Sequence, residues 1–212
     1  MSDRPRPLLI GSRRREISSL RRSIDICVVL LVAPITLAIL LLLVVVVKLD
    51  SRGPAFYGHE RFGAGGRRFR MWKLRTMAQD AEARKDELMH LNSLTWPDFK
   101  VERDPRVTRV GRVLRATTLD ELPQLWHVFL GDMTLVGPRA SFVKVTDYQL
   151  WQTERLEYRP GLFGSWQALA RGTAAFDDRC RMDIRDRRAQ SFGGDLALSV
   201  DSIAAVLRRT GR

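Results

Sequence analysis

The chain has 212 residues and a formal net charge of +12, which leaves room for one soluble domain beside a membrane segment. The charge favours anionic lipid headgroups, phosphorylated small molecules or nucleic acid as partners, but no aromatic residues are interleaved with the basic ones, so we expect no nucleic acid. Cys27 and Cys180 lie far apart without a Cys/His cluster, which argues against a zinc site or a disulfide scaffold.

The N-terminal region combines a basic tail with a long apolar run. Residues 1–20 are rich in Arg, Pro and Ser, and we expect them to be disordered. Ile26 to Val47 is 22 residues without a charge, which is long enough to cross a bilayer. Arginines precede this run and further basic residues follow it, so the flanking charge places both ends on the cytoplasmic side.

Two membrane topologies fit this run. A re-entrant helix over residues 21–48, broken near Pro34, would enter and leave on one face, since proline removes a backbone donor and clashes with the preceding turn. A single-pass anchor stays open, because prolines also occur in spanning helices. A cleaved signal peptide is not expected, because the apolar run is too long and no cleavage site follows it.

Residues 49–212 are predicted to form an α+β domain, compact and mainly helical, with one small β-hairpin. Strands are expected around Phe56–Tyr57 and over 69–74, with glycines in the turn. Helices are predicted over 79–92, 119–130, 142–157, 178–190 and 196–209. The last is amphipathic, with Leu196, Val200, Ile203 and Leu207 on one face and a basic end at Arg208 and Arg209. It either lies on the membrane or packs on the core.

Adjacent acids, Asp120 and Glu121, stand just before Pro123 in a very basic chain. Thr118 and Glu121 have the spacing of a capping box. Alternatively, Asp120 is the N-cap, which would place Pro123 among the free backbone donors. Beyond capping, two adjacent carboxylates can divide the work of a nucleophile and a ligand for a divalent cation.

Basic residues lie at turns around these acids, and they are Lys73, Arg75, Arg106, Arg109, Arg112, Arg115, Arg139 and Arg159. Most single arginines on a surface are simply solvated or contact lipid. A basic set near paired acids nevertheless suits phosphoryl transfer, where catalysis is mostly positioning and charge neutralisation.

Three strings carry a specific resemblance: KLRTM (73–77), DPRVTRVGRVLRATTLDELPQLWHVFLGDMTLVGPR (104–139) and RPGLFGSWQALARG (159–172). They resemble the bacterial sugar transferase family, the monotopic phosphoglycosyl transferases. The resemblance implies a re-entrant membrane helix and a catalytic domain on the cytoplasmic face of the bacterial inner membrane. It also implies transfer of a sugar 1-phosphate from a UDP-sugar to polyprenyl (undecaprenyl) phosphate, with release of UMP, at the start of exopolysaccharide, O-antigen or glycoconjugate assembly.

The resemblance also implies roles for single residues. Asp120 matches the nucleophile that forms a phosphosugar-aspartate intermediate, and Glu121 matches its Mg²⁺-associated partner. Lys73, Arg75, Arg112 and Arg139 match basic positions for phosphates or the nucleotide, and Arg159 begins a loop near the site. Expected partners are the UDP-sugar, polyprenyl phosphate and anionic lipid headgroups, while a homo-oligomer is left open.

Some positions depart from the family pattern. Ala140 replaces a common proline, residues 164–168 read GSWQA, and an Asp- and Tyr-rich stretch is only partly recognisable around Asp183. The large family members carry extra membrane helices before this domain, so the chain is expected to be a minimal catalytic form. The rival hypothesis is a non-enzymatic, membrane-anchored basic scaffold that binds anionic lipid or nucleic acid.

Overall fold

The computed structural model describes residues 17–94, 97–165 and 175–207. Residues 1–16 of the expected disordered tail lie outside this part of the chain, as do residues 166–172 of the third motif string. The longer elements are α1 (Ser19–Asp50), β1 (Phe56–Phe62), β2 (Arg68–Leu74), α2 (Arg109–Thr117), α3 (Gln124–Leu130), β3 (Thr134–Val136), β4 (Gly161–Phe163), α4 (Phe176–Arg188) and α5 (Phe192–Leu207). Short 3-10 helices fill several connections, and this mixture confirms the α+β class.

The predicted β-hairpin is confirmed. Strands β1 and β2 pair antiparallel from Phe56 opposite Leu74 to Phe62 opposite Arg68. Gly65 and Gly66 make the turn with φ of 66° and 72°, a left-handed conformation that glycine adopts without steric cost. The register places Tyr57 opposite Lys73, so these two side chains share one face of the hairpin.

The sequence predicts a break near Pro34. In the structure, α1 instead runs through Pro34 as one continuous helix. The Thr36 hydroxyl donates to the carbonyls of Val32 (3.0 Å) and Ala33 (3.1 Å) beside the proline. Its 32 residues give a length of about 48 Å. Within the described residues α1 is the one helix long and apolar enough to cross a membrane. The re-entrant path stays a prediction.

Polar contacts fasten both ends of α1 to the rest of the chain. Near its start, the Arg22 guanidinium donates to the last carbonyls of α3, at 2.6 Å from Val128 O and 2.6 Å from Phe129 O. The buried Asp25 carboxylate accepts from the Thr134 hydroxyl at 2.7 Å. At the far end, the Asp50 carboxylate accepts from the backbone N–H of Val110 at 3.2 Å.

Two apolar clusters lie beneath these two ends. The first comprises Val29, Met71, Val128, Met133 and Ala140. The second comprises Val47, Ala55, Leu74 and Leu114. Between the clusters the outer face of α1 is open, with Leu31 78% and Leu41 70% exposed. An apolar face of this size is typical of a surface that contacts lipid or a partner.

Two predicted helices are wrong. Residues 79–92 form turns followed by a 3-10 helix over Asp86–Leu91, with Met89 and Leu91 about half exposed, because the segment has no apolar stripe to bury. Residues 142–157 form two 3-10 helices, Val145–Asp147 and Leu150–Glu157. The β-branched residues at positions 143, 145 and 146 disfavour an α-helix there.

The two C-terminal helices are confirmed. Helix α4 covers most of the predicted segment 178–190. Helix α5 exposes the expected apolar face, with Leu196 58%, Val200 57% and Ile203 49% accessible. That face therefore does not pack on the core, and its placement on the membrane stays a prediction. The basic end predicted at residues 208 and 209 lies outside the described residues.

Candidate active site

Asp120 lies in the 3-10 turn Leu119–Glu121, between α2 and α3. Thr118 ends α2 with φ 56°, the only positive φ of a non-glycine residue in the described chain. Its side chain makes no capping hydrogen bond, and Pro123 occupies the N-cap position of α3. Both capping interpretations are therefore wrong. A strained residue beside two acids is the kind of outlier that clusters at functional sites.

The Asp120 carboxyl is buried without a partner. It is 7% exposed, and within the described residues it makes no hydrogen bond. Burial, and then the charge of Glu121, raise its pKa to about 6. The cations Lys73, Arg115 and Arg139 oppose this shift by favouring the ionised form. At neutral pH the carboxylate is thus ionised, desolvated and free of hydrogen bonds, as a nucleophile requires.

Glu121 is held by Arg139. The Arg139 guanidinium donates with Nη1 to Oε2 at 3.2 Å and with Nη2 to Oε1. The charge of Glu121 raises the pKa of Arg139. Arg139 follows β3 through Gly137, where a Cβ would come 2.5 Å from the Arg159 carbonyl oxygen. The tight turn at Gly137-Pro138 thus brings Arg139 to the acids.

Lys73 and Arg115 approach from β2 and α2. Burial lowers the pKa of Lys73, while the Asp120 charge opposes that shift. Arg115 Nε donates to the Thr76 hydroxyl at 2.8 Å. The two elements meet closely because Gly111 faces Thr76, whose carbonyl oxygen would lie 2.0 Å from a Cβ at that position. Lys73 and Arg139 are therefore at the site, as predicted.

Three predicted phosphate ligands are not brought to Asp120. The Arg75 guanidinium is buried and donates to the carbonyls of Ser51 (2.7 Å) and Arg52 (2.6 Å), so it fastens the linker after α1 instead. Arg112 is exposed on α2, and Arg115, nearly one helical turn later, is the α2 arginine whose charge acts on Asp120. Arg159 lies near Asp25 of α1 instead.

Sequence reasoning missed a row of residues on β1. Tyr57, His59 and Arg61 alternate along the strand and so share the face that carries Lys73. Arg61 Nη1 donates to the Ala140 carbonyl at 3.3 Å, and its guanidinium stacks 5.1 Å from the centre of the Phe142 ring. Burial and the Arg139 charge lower its pKa to about 10. The alternation of these residues is visible in the sequence. Only the strand register, however, shows that they share a face with Lys73 and so lie near the acids.

Asp183 also has a defined position. Its carboxylate, 3% exposed, accepts from Arg155 Nη2 at 2.6 Å. The same Arg155 nitrogen donates to the backbone carbonyl of Arg139 at 3.1 Å. This buried ion pair therefore supports the backbone that presents Arg139 to Glu121.

The described residues hold no group of three or more His, Cys, Asp or Glu arranged around a common metal position. Mg²⁺ does not require such a cage, since it usually binds through one or two carboxylates together with substrate phosphates. Asp120 and Glu121 supply carboxylates beside the cations Lys73, Arg115 and Arg139. The donor set therefore fits Mg²⁺ delivered with a diphosphate.

The chain is similar to a known protein family and to several known proteins. The model of the family described as "Bacterial sugar transferase" matches residues 16–209. The galactosyl transferase CpsE of Streptococcus agalactiae is 38% identical over 75% of this chain and 36% of its own length. The undecaprenyl-phosphate galactose phosphotransferase of Salmonella typhimurium is 35% identical over 93% of this chain and 42% of its own length. The exopolysaccharide production protein ExoY of Rhizobium meliloti is 33% identical over 90% of this chain and 87% of its own length.

The chain spans about two fifths of the length of CpsE and of the Salmonella phosphotransferase, and nearly all of ExoY. The family match and the ExoY alignment both run over almost the whole sequence, and they include the segment with Asp120 and Glu121. This chain belongs to the bacterial sugar transferase family.

Proposed function

We propose that this protein transfers a sugar 1-phosphate from a UDP-sugar to polyprenyl phosphate, through a covalent intermediate on Asp120. The observation that carries the proposal is the Asp120 carboxyl, which is 7% exposed, free of hydrogen bonds within the described chain and faced by Lys73, Arg115 and Arg139. The relatives named as undecaprenyl-phosphate phosphotransferases support the same donor and acceptor classes.

In the first step an Asp120 oxygen attacks the phosphorus that bears the sugar. The bond from that phosphorus to the bridging oxygen breaks, and UMP leaves with the electron pair. Lys73, Arg115 and Arg139 surround the carboxylate and offset the charge of the phosphoryl oxygens. Without these cations a carboxylate would repel the diphosphate it must attack.

In the second step a polyprenyl phosphate oxygen attacks the same phosphorus, and the bond to Asp120 breaks. This restores the carboxylate and forms the diphosphate bond of the lipid product. Mg²⁺ bound with Glu121 would further offset the diphosphate charge. Arg139, which follows β3, pairs with Glu121. The neighbouring Asp120 carboxyl makes no hydrogen bond within the described residues.

The placement on the membrane follows from α1 in this proposal. Arg22 and Asp50 near its two ends both contact the catalytic unit. A straight helix across a bilayer would put its ends on opposite faces, out of reach of one domain. The contacts therefore support a path that begins and ends on one face, and the flanking positive charge favours the cytoplasmic face.

The test is to incubate the purified protein with Mg²⁺ and a UDP-sugar labelled in the sugar, without lipid. We expect UMP release of up to one equivalent and label on a peptide containing Asp120. Polyprenyl phosphate should then discharge the label, and initial rates should give parallel, ping-pong lines.

Intersecting lines without trapped label would replace the covalent step by direct attack of the lipid phosphate in a ternary complex. Absence of UMP release with any UDP-sugar, even with lipid present, would leave the basic scaffold as the better explanation. A screen of UDP-hexoses by UMP release would identify the donor.

A further inference from the structure

One face of the β-hairpin continues the active site away from the phosphate-binding cations. Tyr57 is 43% exposed, and its ring lies 5.8 Å from Lys73 Nζ and 5.7 Å from the His59 ring. Lys73 in turn lies close enough to Asp120 to favour the ionised form of that carboxyl. An open aromatic ring is therefore next to the cation that faces the nucleophile.

His59 completes this face with an unsatisfied polar atom. Its Nε2 is buried and has no hydrogen-bond partner in the described part of the chain. Burial, with the charges of Arg61, Lys73 and Arg139, lowers the pKa of His59 to about 3, so the ring is neutral and has one acceptor nitrogen. The χ2 torsion of histidine is broad, so the ring can turn this acceptor toward a ligand.

We infer that Tyr57 and His59 form the subsite for the hexose of the nucleotide sugar. The Tyr57 ring would pack against the apolar C–H face of the hexose, and His59 would accept a hydrogen bond from a hexose hydroxyl. This inference rests on the proposed function, because it takes the phosphorus attacked by Asp120 as its reference point.

The chemistry of the donor favours the hexose over the uracil here. The hexose is attached directly to the phosphate that Asp120 attacks, whereas the uracil is separated from it by a second phosphate and the ribose. Lys73 interacts with both the nucleophile and the Tyr57 ring, so the group beside Tyr57 is the one nearest the reacting phosphate.

The experiment compares Tyr57→Ala and His59→Ala with a matched control, Glu60→Gln. Glu60 lies between them on β1, is exposed and points to the opposite hairpin face, where it pairs with Arg68 at 3.5 Å. For each variant the KM for the UDP-hexose and the inhibition constant of UMP are measured with Mg²⁺. Thermal unfolding of the full chain in detergent reports folding.

We expect each Ala variant to raise the KM for the UDP-hexose about fivefold to tenfold, the range for one aromatic contact or one neutral hydrogen bond. The UMP inhibition constant should stay within about twofold, and Glu60→Gln should match the wild type. His59→Gln, which keeps an acceptor, should recover part of the affinity.

Other outcomes would overturn the inference. A parallel rise in the UMP inhibition constant would assign this face to the nucleoside. Unchanged KM values in folded variants would remove it from donor binding altogether. Neither result would contradict the proposed transfer reaction. That reaction would be contradicted only if the wild-type protein released no UMP. If an Ala variant unfolds, Tyr57→Leu and His59→Gln supply the same comparison.

Discussion

At the scale of single residues, the chemistry depends on a carboxyl that the fold leaves without a hydrogen bond. Such a group is unfavourable for stability, because burial raises its pKa to about 6. Folding therefore shifts the titration of this carboxyl toward higher pH. The resulting contribution to stability is present at low pH and is lost as the pH rises through about 6.

Asp120→Asn should abolish turnover, because an amide cannot form the acyl phosphate. The free energy of unfolding at pH 7.5 should be equal to that of the wild type or higher, since the substitution removes a buried ionised group. Activity and thermal unfolding, measured on the same preparation, check both expectations. A loss of stability with normal turnover would instead show that the Asp120 carboxylate is structural.

The rate should also titrate with Asp120. Because the nucleophile must be ionised, log(kcat/KM) for the UDP-sugar should fall with unit slope as the pH drops below about 6. Asp183 has a pKa raised by burial to the same value, so it needs a control. Asp183→Asn should lower the rate by loosening Arg139 yet keep the acid limb. Disappearance of the limb in that variant would assign it to Asp183.

At the scale of elements, the hairpin, α3 and the last two helices could be predicted because their patterns are local. Gly131, with φ 89°, ends α3 where the sequence predicts. The helices predicted over 79–92 and 142–157 fail for reasons that are only weakly visible in the sequence: the first segment lacks an apolar stripe, and β-branched residues at 143, 145 and 146 disfavour an α-helix in the second. In the same way, the β1 face around His59 depends on strand register, which sequence spacing alone does not reveal.

Arg75 belongs to a family motif, yet its guanidinium binds the backbone of the linker after α1. Arg75→Lys should lower the free energy of unfolding by about 2 kcal/mol, because an ammonium cannot bridge the carbonyls of Ser51 and Arg52 as the guanidinium does. Affinity of the folded protein for UDP should stay unchanged. Lys73→Ala is the contrast, with weaker UDP affinity. Weaker UDP binding by a stable Arg75→Lys variant would restore Arg75 to the site.

At the scale of the whole molecule, the apolar helix and the catalytic unit depend on each other. Contacts from Arg22 and Asp25 hold the start of α1 against α3 and β3, while Asp50 holds its end against α2. The exposed apolar faces of α1 and α5 are then surfaces of one body. Sequence charge predicts which side both helix ends occupy, but it could not show that the domain itself contacts both ends.

The membrane path can be tested with single cysteines at Ser18 and Ser51, which flank α1, after replacement of Cys27 and Cys180. Both positions should react with an impermeant thiol reagent only when the cytoplasmic face is accessible, because both helix ends contact one domain on that face. Reaction at Ser18 from the periplasm, with Ser51 labelled from the cytoplasm, would show that α1 spans.

The Pro34→Leu variant tests the role of the proline in this path, since it restores the backbone donor missing from the middle of α1. If the proline weakens the helix enough for it to bend back, the variant should shift Ser18 toward periplasmic labelling and lose activity, because Arg22 and Asp25 would leave α3 and β3. Unchanged labelling and activity in that variant would assign the path to the polar contacts at the two ends.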